Sequence, residues 1–133
     1  MREPLFVDTG YVIALINEND QHHACALALS QHYEGHPLVT TDAVLLEIGN
    51  ALSRIARQEA SQILHYFIHA DEVTVVQLTP DRFNSALKRY DRYQDKHWGL
   101  VDCLSFEVMQ EMALSKVLSF DHHFTQAGYQ PLT

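Results

Sequence analysis

Basic residues are scarce in this chain. Nine lysines and arginines stand against seventeen aspartates and glutamates, a net charge of -8 with histidine neutral. So acidic a chain is a poor generic binder of nucleic acid, because phosphate contacts are made by lysine and arginine. That exclusion holds only until the acids are located, since a bound divalent cation changes the local sign. Cysteine is scarcer still. Cys25 and Cys103 lie far apart and outside any CxxC pair. They exclude a disulfide framework and read as small buried residues of a reducing compartment. No run is long and apolar enough to span a bilayer. The segment "MREPLFVD" lacks the layout of a signal peptide, its apolar run being broken by Asp8. The expectation is a cytoplasmic protein with no membrane contact. Linkers, repeats and low-complexity stretches are also missing, so residues 1–133 are expected to form one domain around one core.

What is present is an ordinary globular composition, 47% hydrophobic and 20% charged, ordered as alternating apolar runs. Residues 5–8, 37–41, 73–78 and 116–120 read as strands. "YQPL" adds an edge strand, because Pro131 bars a central one. Helices are predicted over 11–17, from Asp20 as N-cap through "HHACALALSQHY", from about 42 to 57, and over 59–70. Two more open at Pro80 and at Asp102, and a short helical turn, "DHHFTQA", ends at Gly128. Strands alternating with helices predict an α/β fold with a mainly parallel central sheet. In such a sheet the site lies beyond the carboxyl ends of the strands, near a topological switch point.

The acids fall where that rule places a site. Asp8 ends the first strand, Asp121 follows the fourth, Asp102 begins a helix, and Glu47 lies inside one. Aspartate is also a favoured N-cap, worth about 1 kcal/mol, and Asp8, Asp102 and Asp121 all precede helical segments. Two features point beyond capping. Glu47 is too deep in its helix to cap it, and flanks a predicted buried stripe of Val44, Ile48, Ala51, Leu52 and Ile55. Asp102 heads an apolar face continued by Phe106, Met109 and Ala113, so its carboxylate points inward. Buried carboxylates without partners become protonated, and a cluster of them repels itself. A divalent cation with a taste for oxygen, Mg²⁺ or Mn²⁺, resolves both problems.

Other classes of similar size fit poorly. A phospho-acceptor receiver wants paired acids at the first strand end, where Asp8 stands alone. It also wants a lysine after a later strand, and none follows Ser119. An aspartate-nucleophile phosphatase wants a second aspartate two residues after the first, where Gly10 stands. No P-loop is present.

The segments "FVDTGYVIALI", "TTDAVLLEIGNAL", "WGLVDCLSFEVM" and "VLSFDHHFTQAGY" together resemble the PIN-domain nucleases, and more narrowly the single-domain ribonucleases that serve as toxins of type II toxin–antitoxin pairs. The resemblance runs from about residue 5 to 129. It implies a three-layer α/β/α fold with four to five strands, and an acidic quartet of Asp8, Glu47, Asp102 and Asp121 as catalytic and metal-holding residues. Thr9, Asn50 and Ser119 fall at the supporting positions beside them. It further implies Mg²⁺- or Mn²⁺-dependent hydrolysis of RNA phosphodiesters to 5′-phosphate and 3′-hydroxyl ends, a cognate antitoxin protein, and a homodimer. Gly99 and Val101 replace the hydroxyl residues that similar sequences often carry before the third acid. The alternative is a PIN-like module, weak or inert in catalysis, that binds RNA or protein.

The remaining candidates are polar or aromatic. Arg82, Arg89, Arg92 and Lys96 share one predicted helical stripe beside Phe83, Ala86, Leu87 and Tyr90. They are the candidate RNA contacts, the competing reading being a solvated charged flank. His65 and His69 have an i, i+4 ligand spacing but no HExxH pattern and no evident third ligand. The pairs His22–His23 and His122–His123 read as polar residues at helix starts, the second pair close enough to Asp121 to reach substrate. Trp98 is expected to pack beneath its loop, and Leu46 to face away from its helix's buried stripe.

Overall fold

The computed structural model describes residues 2–132. Its elements run β1 (Leu5–Val7), α1 (Thr9–Ile16), α2 (His23–His32), β2 (Leu38–Thr41), α3 (Asp42–Leu52), α4 (Arg57–His69), β3 (Val73–Val76), α5 (Pro80–Arg92), α6 (Leu100–Glu111), β4 (Lys116–Leu118), α7 (His123–Gln126) and β5 (Gln130–Pro131). The five strands form one sheet in the order β3-β2-β1-β4-β5, every pair parallel. A parallel sheet is covered on both faces. Accordingly the three residues of β1 are all buried, and Pro131 sits on the edge strand. The chain leaves β1 toward β2 and β3 on one side and returns to β4 and β5 on the other. The carboxyl end of β1 is therefore the switch point.

The helices fall into two packed groups, α1 with α2 and α3, which in turn meets α4, and α5 with α6. Phe6, Val12, Val44, Ile48, Leu52, Phe106, Met109 and Phe124 form the inaccessible centre of the core. Trp98 is buried as expected. It packs edge-on to Phe106 at 4.9 Å and donates its indole N–H to Gln126 Oε1 at 3.0 Å.

Several boundaries differ from the expectation. The α3 helix stops at Leu52, not near Arg57. Ile55 is 64% exposed and Ala51 is exposed, so neither belongs to the buried stripe. Ser53 donates its hydroxyl to the Asn50 carbonyl, a local bond that competes with the helical ladder. The N-cap of α3 is Thr41, whose hydroxyl accepts the Val44 N–H. Asp42 accepts the Leu78 N–H instead, tying down the chain that leaves β3. Asp20 caps no helix. It accepts the His22 N–H across a turn, and α2 begins three residues later. Cys25 is exposed because α2 buries only Ala26, whereas Cys103 is buried as expected.

The α5 helix does not bury its apolar stripe. Only Ala86 of the apolar stripe is buried, while Phe83, Leu87 and Tyr90 are 41%, 38% and 47% exposed. The arginines face α6 instead. Arg82 grips Glu111 with two nitrogens at 3.1 and 3.2 Å, and Arg89 donates to Glu107 and Gln110, both at 2.8 Å. Their long stems cover apolar surface while the charged heads pair.

The α6 helix begins at Leu100 with Gly99 as its N-cap, two residues earlier than predicted. Ala113 lies past its end, exposed, at φ 55°, and so is not on the buried face. The Leu114 N–H reaches the Met109 carbonyl at 2.8 Å and the Ala113 N–H reaches Gln110 at 3.2 Å, a helix stop that glycine normally occupies. An L-residue pays a steric cost there. Ala113→Gly is therefore expected to raise stability by roughly 0.5–1 kcal/mol, read from the urea midpoint. An unchanged or lower midpoint would contradict the strain.

Candidate active site

Asp8 follows β1 directly, its backbone N–H continuing the ladder to the Leu118 carbonyl at 3.1 Å. The strand thus delivers this carboxylate to the sheet edge, where it is only 6% exposed. Ser119, just past the neighbouring β4, donates its hydroxyl to Asp8 Oδ2 at 2.9 Å. The same hydroxyl accepts the Asp121 N–H at 2.9 Å, so one buried serine sets the relation between the first and fourth acids. Thr9, opening α1, donates to Glu47 Oε1 at 2.7 Å and holds the α3 carboxylate toward the strand end. Asp102, in the first turn of α6, accepts the Gly99 N–H at 3.1 Å.

Asp8, Glu47, Asp102 and Asp121 line a single open cleft of about 490 Å³. No lysine or arginine lines it. Burial pushes Asp8 up from 3.8 to about 7; repulsion from Asp102 and Asp121 adds to this, while the Ser119 and Thr9 bonds oppose it. Asp102 is raised by burial too and by repulsion from Asp121, with Gly99 and His123 opposing. Among the described residues, the side-chain hydrogen bonds to these acids come from Ser119 to Asp8, Thr9 to Glu47 and His123 to Asp102. These side-chain and amide bonds reach Asp8 Oδ2, Glu47 Oε1 and Asp102 Oδ2. Carboxylate oxygens with raised proton affinity and no lysine or arginine partner suit a hard divalent cation.

His123 was reachable from the sequence only as a neighbour of Asp121. Its Nδ1 lies 3.1 Å from Asp102 Oδ2 and 3.2 Å from Asp121 Oδ2, and its backbone N–H donates to Asp121 Oδ1 at 2.9 Å. With carboxylate oxygens on both sides, Nδ1 is the protonated nitrogen. Among the described residues, Asp121, His122 and His123 form the one triplet of acid or imidazole ligand atoms within 4.8 Å of one another. The four acids share the cleft without closing that tightly. His122 also lines it, as its place beside Asp121 suggests, together with Asp20, His22 and Phe120.

Other candidates lie elsewhere. Asn50 lines a separate groove of about 570 Å³ with Arg57, Leu64 and His65. Arg82 and Arg89 are occupied by α6, Arg92 lies over the Tyr93 ring, and Lys96 pairs with Asp95 at 3.3 Å. None of the four lines the acid cleft. The rings of His65 and His69 stack at 5.7 Å, with His69 Nδ1 on the His65 carbonyl.

An all-parallel sheet whose strand ends carry acids on one cleft is the arrangement of a PIN domain. Residues 5–128 match that family, and the chain belongs to it. The protein is 28% identical over 127 residues to the 23S rRNA-specific endonuclease VapC20 of Mycobacterium tuberculosis, a match spanning 94% of this chain and 95% of the relative. The crystal structure of VapC20, described as a Sarcin-Ricin loop cleaving toxin, superposes with a TM-score of 0.87 at 26% identity, over 96% of this chain and 98% of that one. FitAcB from Neisseria gonorrhoeae shares the fold alone, with a TM-score of 0.65 and 10% identity over 97% and 96% of the two chains.

The raised acids make a pH prediction for the metal-free protein. Folded Asp8 holds a proton between about pH 4 and 7 that the unfolded chain has lost. Its stabilising effect is complete below about pH 4 and disappears as pH rises through 7. Asp8→Asn cannot ionise, so its melting temperature relative to the parent is expected to be higher at pH 8 than at pH 5. Parallel curves for the two proteins would contradict the shift.

Proposed function

We propose that this protein is a divalent-metal-dependent endoribonuclease of the toxin type, working through Asp8, Glu47, Asp102 and Asp121 with Mg²⁺ or Mn²⁺. The observation that carries the reading is the convergence of four acids, from four separate segments of the chain, on a cleft lined by no lysine or arginine among the described residues. The VapC20 likeness, nearly full-length in sequence and structure, supports RNA as the substrate. A structured loop of 23S ribosomal RNA is the first substrate to test.

Asp8, Glu47, Asp102 and Asp121 would hold the cation, which would supply activation of water and neutralisation of charge at the attacked phosphate. The chain's own part is to hold the donors still. Ser119 fixes Asp8, Thr9 fixes Glu47, and the Gly99 amide fixes Asp102. His123 links Asp102 to Asp121. Such supporting bonds set ligand orientation, and losing one typically costs 10- to 100-fold in metal affinity or activity.

Partners belong to the same reading. An antitoxin protein and a second copy of the chain are the expected ones. Leu46, 69% exposed, and the outward Phe83, Leu87 and Tyr90 of α5 support a surface that another protein covers. No helix among the described residues is long and apolar enough to cross a membrane. A cytoplasmic site of action, where ribosomal RNA is found, completes the proposal.

Asp102→Asn is expected to abolish Mn²⁺-dependent cleavage of a 23S rRNA fragment while leaving the fold as stable as the parent or more so, since it removes repulsion. Cleavage at the parental rate would end the assignment. His123→Ala is expected to weaken Mn²⁺ binding by roughly 10-fold in calorimetry, with His123→Gln, which keeps a donor, recovering part of it. Equal affinity in all three proteins would show that the imidazole link is idle.

A further inference from the structure

The acid cleft has an aromatic rim that the proposed chemistry does not use. His22 lies flat on Phe120, with ring centroids 4.3 Å apart and planes within 9°. Phe120 is backed by the buried Tyr11 ring at 6.3 Å, and Asp20 holds the His22 backbone N–H at 2.8 Å. The acid cleft adjoins a second cavity of about 310 Å³, and His22, Phe120, Asp121 and His122 line both. The stacked pair therefore stands where the two cavities meet. Phe120 also sits between Ser119, which touches Asp8, and Asp121, so its ring is held in register with two of the acids.

Neither cavity is lined by lysine or arginine. An RNA strand lying there finds no lysine or arginine for its phosphates, and beyond the proposed metal its hold comes from something other than charge. Imidazole and phenyl rings supply it, because unpaired bases stack on aromatic and histidine side chains whatever the charge of the cleft. We propose that His22, stacked on Phe120 at the junction of the two cavities, is a platform for an unpaired nucleobase of the RNA beside the scissile phosphate. This rests on the ribonuclease reading for its ligand. It assigns to the rim the substrate hold that Arg82 and Arg89, paired with α6, do not provide.

The test uses Asp102→Asn protein, so that RNA is bound and not cut, and 23S rRNA hairpins that each carry one 2-aminopurine in the loop. Quenching is expected at one or two adjacent loop positions. His22→Ala is expected to remove it and to weaken binding by roughly 5- to 100-fold, and His22→Phe, which keeps a stacking face, to restore both. An abasic nucleotide at the quenched position should weaken the Asp102→Asn protein by the same factor and add nothing to the loss in His22→Ala. That arm needs no further change to the protein, so a folding defect in a His22 variant cannot imitate it. In protein with Asp102 intact the loss should fall on KM. Undiminished binding and quenching in His22→Ala, a His22→Phe variant as weak as His22→Ala, an additive abasic loss, or hairpins that do not bind would each overturn the platform. If the parent leaves these RNAs uncut while the His22 differences persist, the ribonuclease reading falls and the platform stands.

Discussion

Everything at the carboxyl edge of this sheet answers to one constraint: four carboxylates face one cleft with no lysine or arginine to balance them. Burial and mutual repulsion push the proton affinities of Asp8 and Asp102 upward. The surrounding donors are uncharged hydroxyls and amides, with one imidazole. Neutral donors orient a carboxylate without cancelling its charge, whereas a lysine at the same place would occupy the position of a cation. In the proposed metal-dependent reading, the cleft would hold a divalent ion because its supporting bonds are weak in charge and strict in direction.

The fold supplies the convergence cheaply. Asp8 and Ser119 come from adjacent parallel strands, so their relation is fixed by sheet register. Glu47 and Asp102 come from helices whose apolar faces are pinned by Ile48, Leu52, Phe106 and Met109 in the core. The α6 helix is held at its far end by the α5 arginines and stopped by the turn at Ala113. A few short strands thus suffice, because each acid is tied to an element that the core already immobilises.

Much of this was legible in the sequence. The strands were visible as β-rich runs, and Asp8 and Asp121 were visible as acids ending them, because strand ends in parallel sheets are where side chains leave the core. Helix limits were less legible. At Leu52 a serine back-bond ends an apolar pattern that continues through Ile55, and at Gly99 a helix starts before the acid that looked like its cap. The orientation of α5 was hidden for a different reason. Its arginine and apolar stripes are adjacent, and the choice between them is made by Glu107 and Glu111 on another helix. The contacts of His123 and His22 were hidden as well, since each reaches a residue distant in sequence, Asp102 and Phe120.

The pairing of α5 with α6 has a bearing on how a polyanion reaches this molecule. Among the described residues, Arg82 and Arg89 are neutralised by α6 and Lys96 by Asp95, three of nine positive side chains in a chain that carries seventeen negative ones. Attraction at long range is correspondingly feeble, and capture of a phosphate backbone releases few condensed counterions. Encounter with RNA is then governed by shape and by the ionic atmosphere, so dilute salt, which strengthens most nucleic-acid binders, offers this one little help.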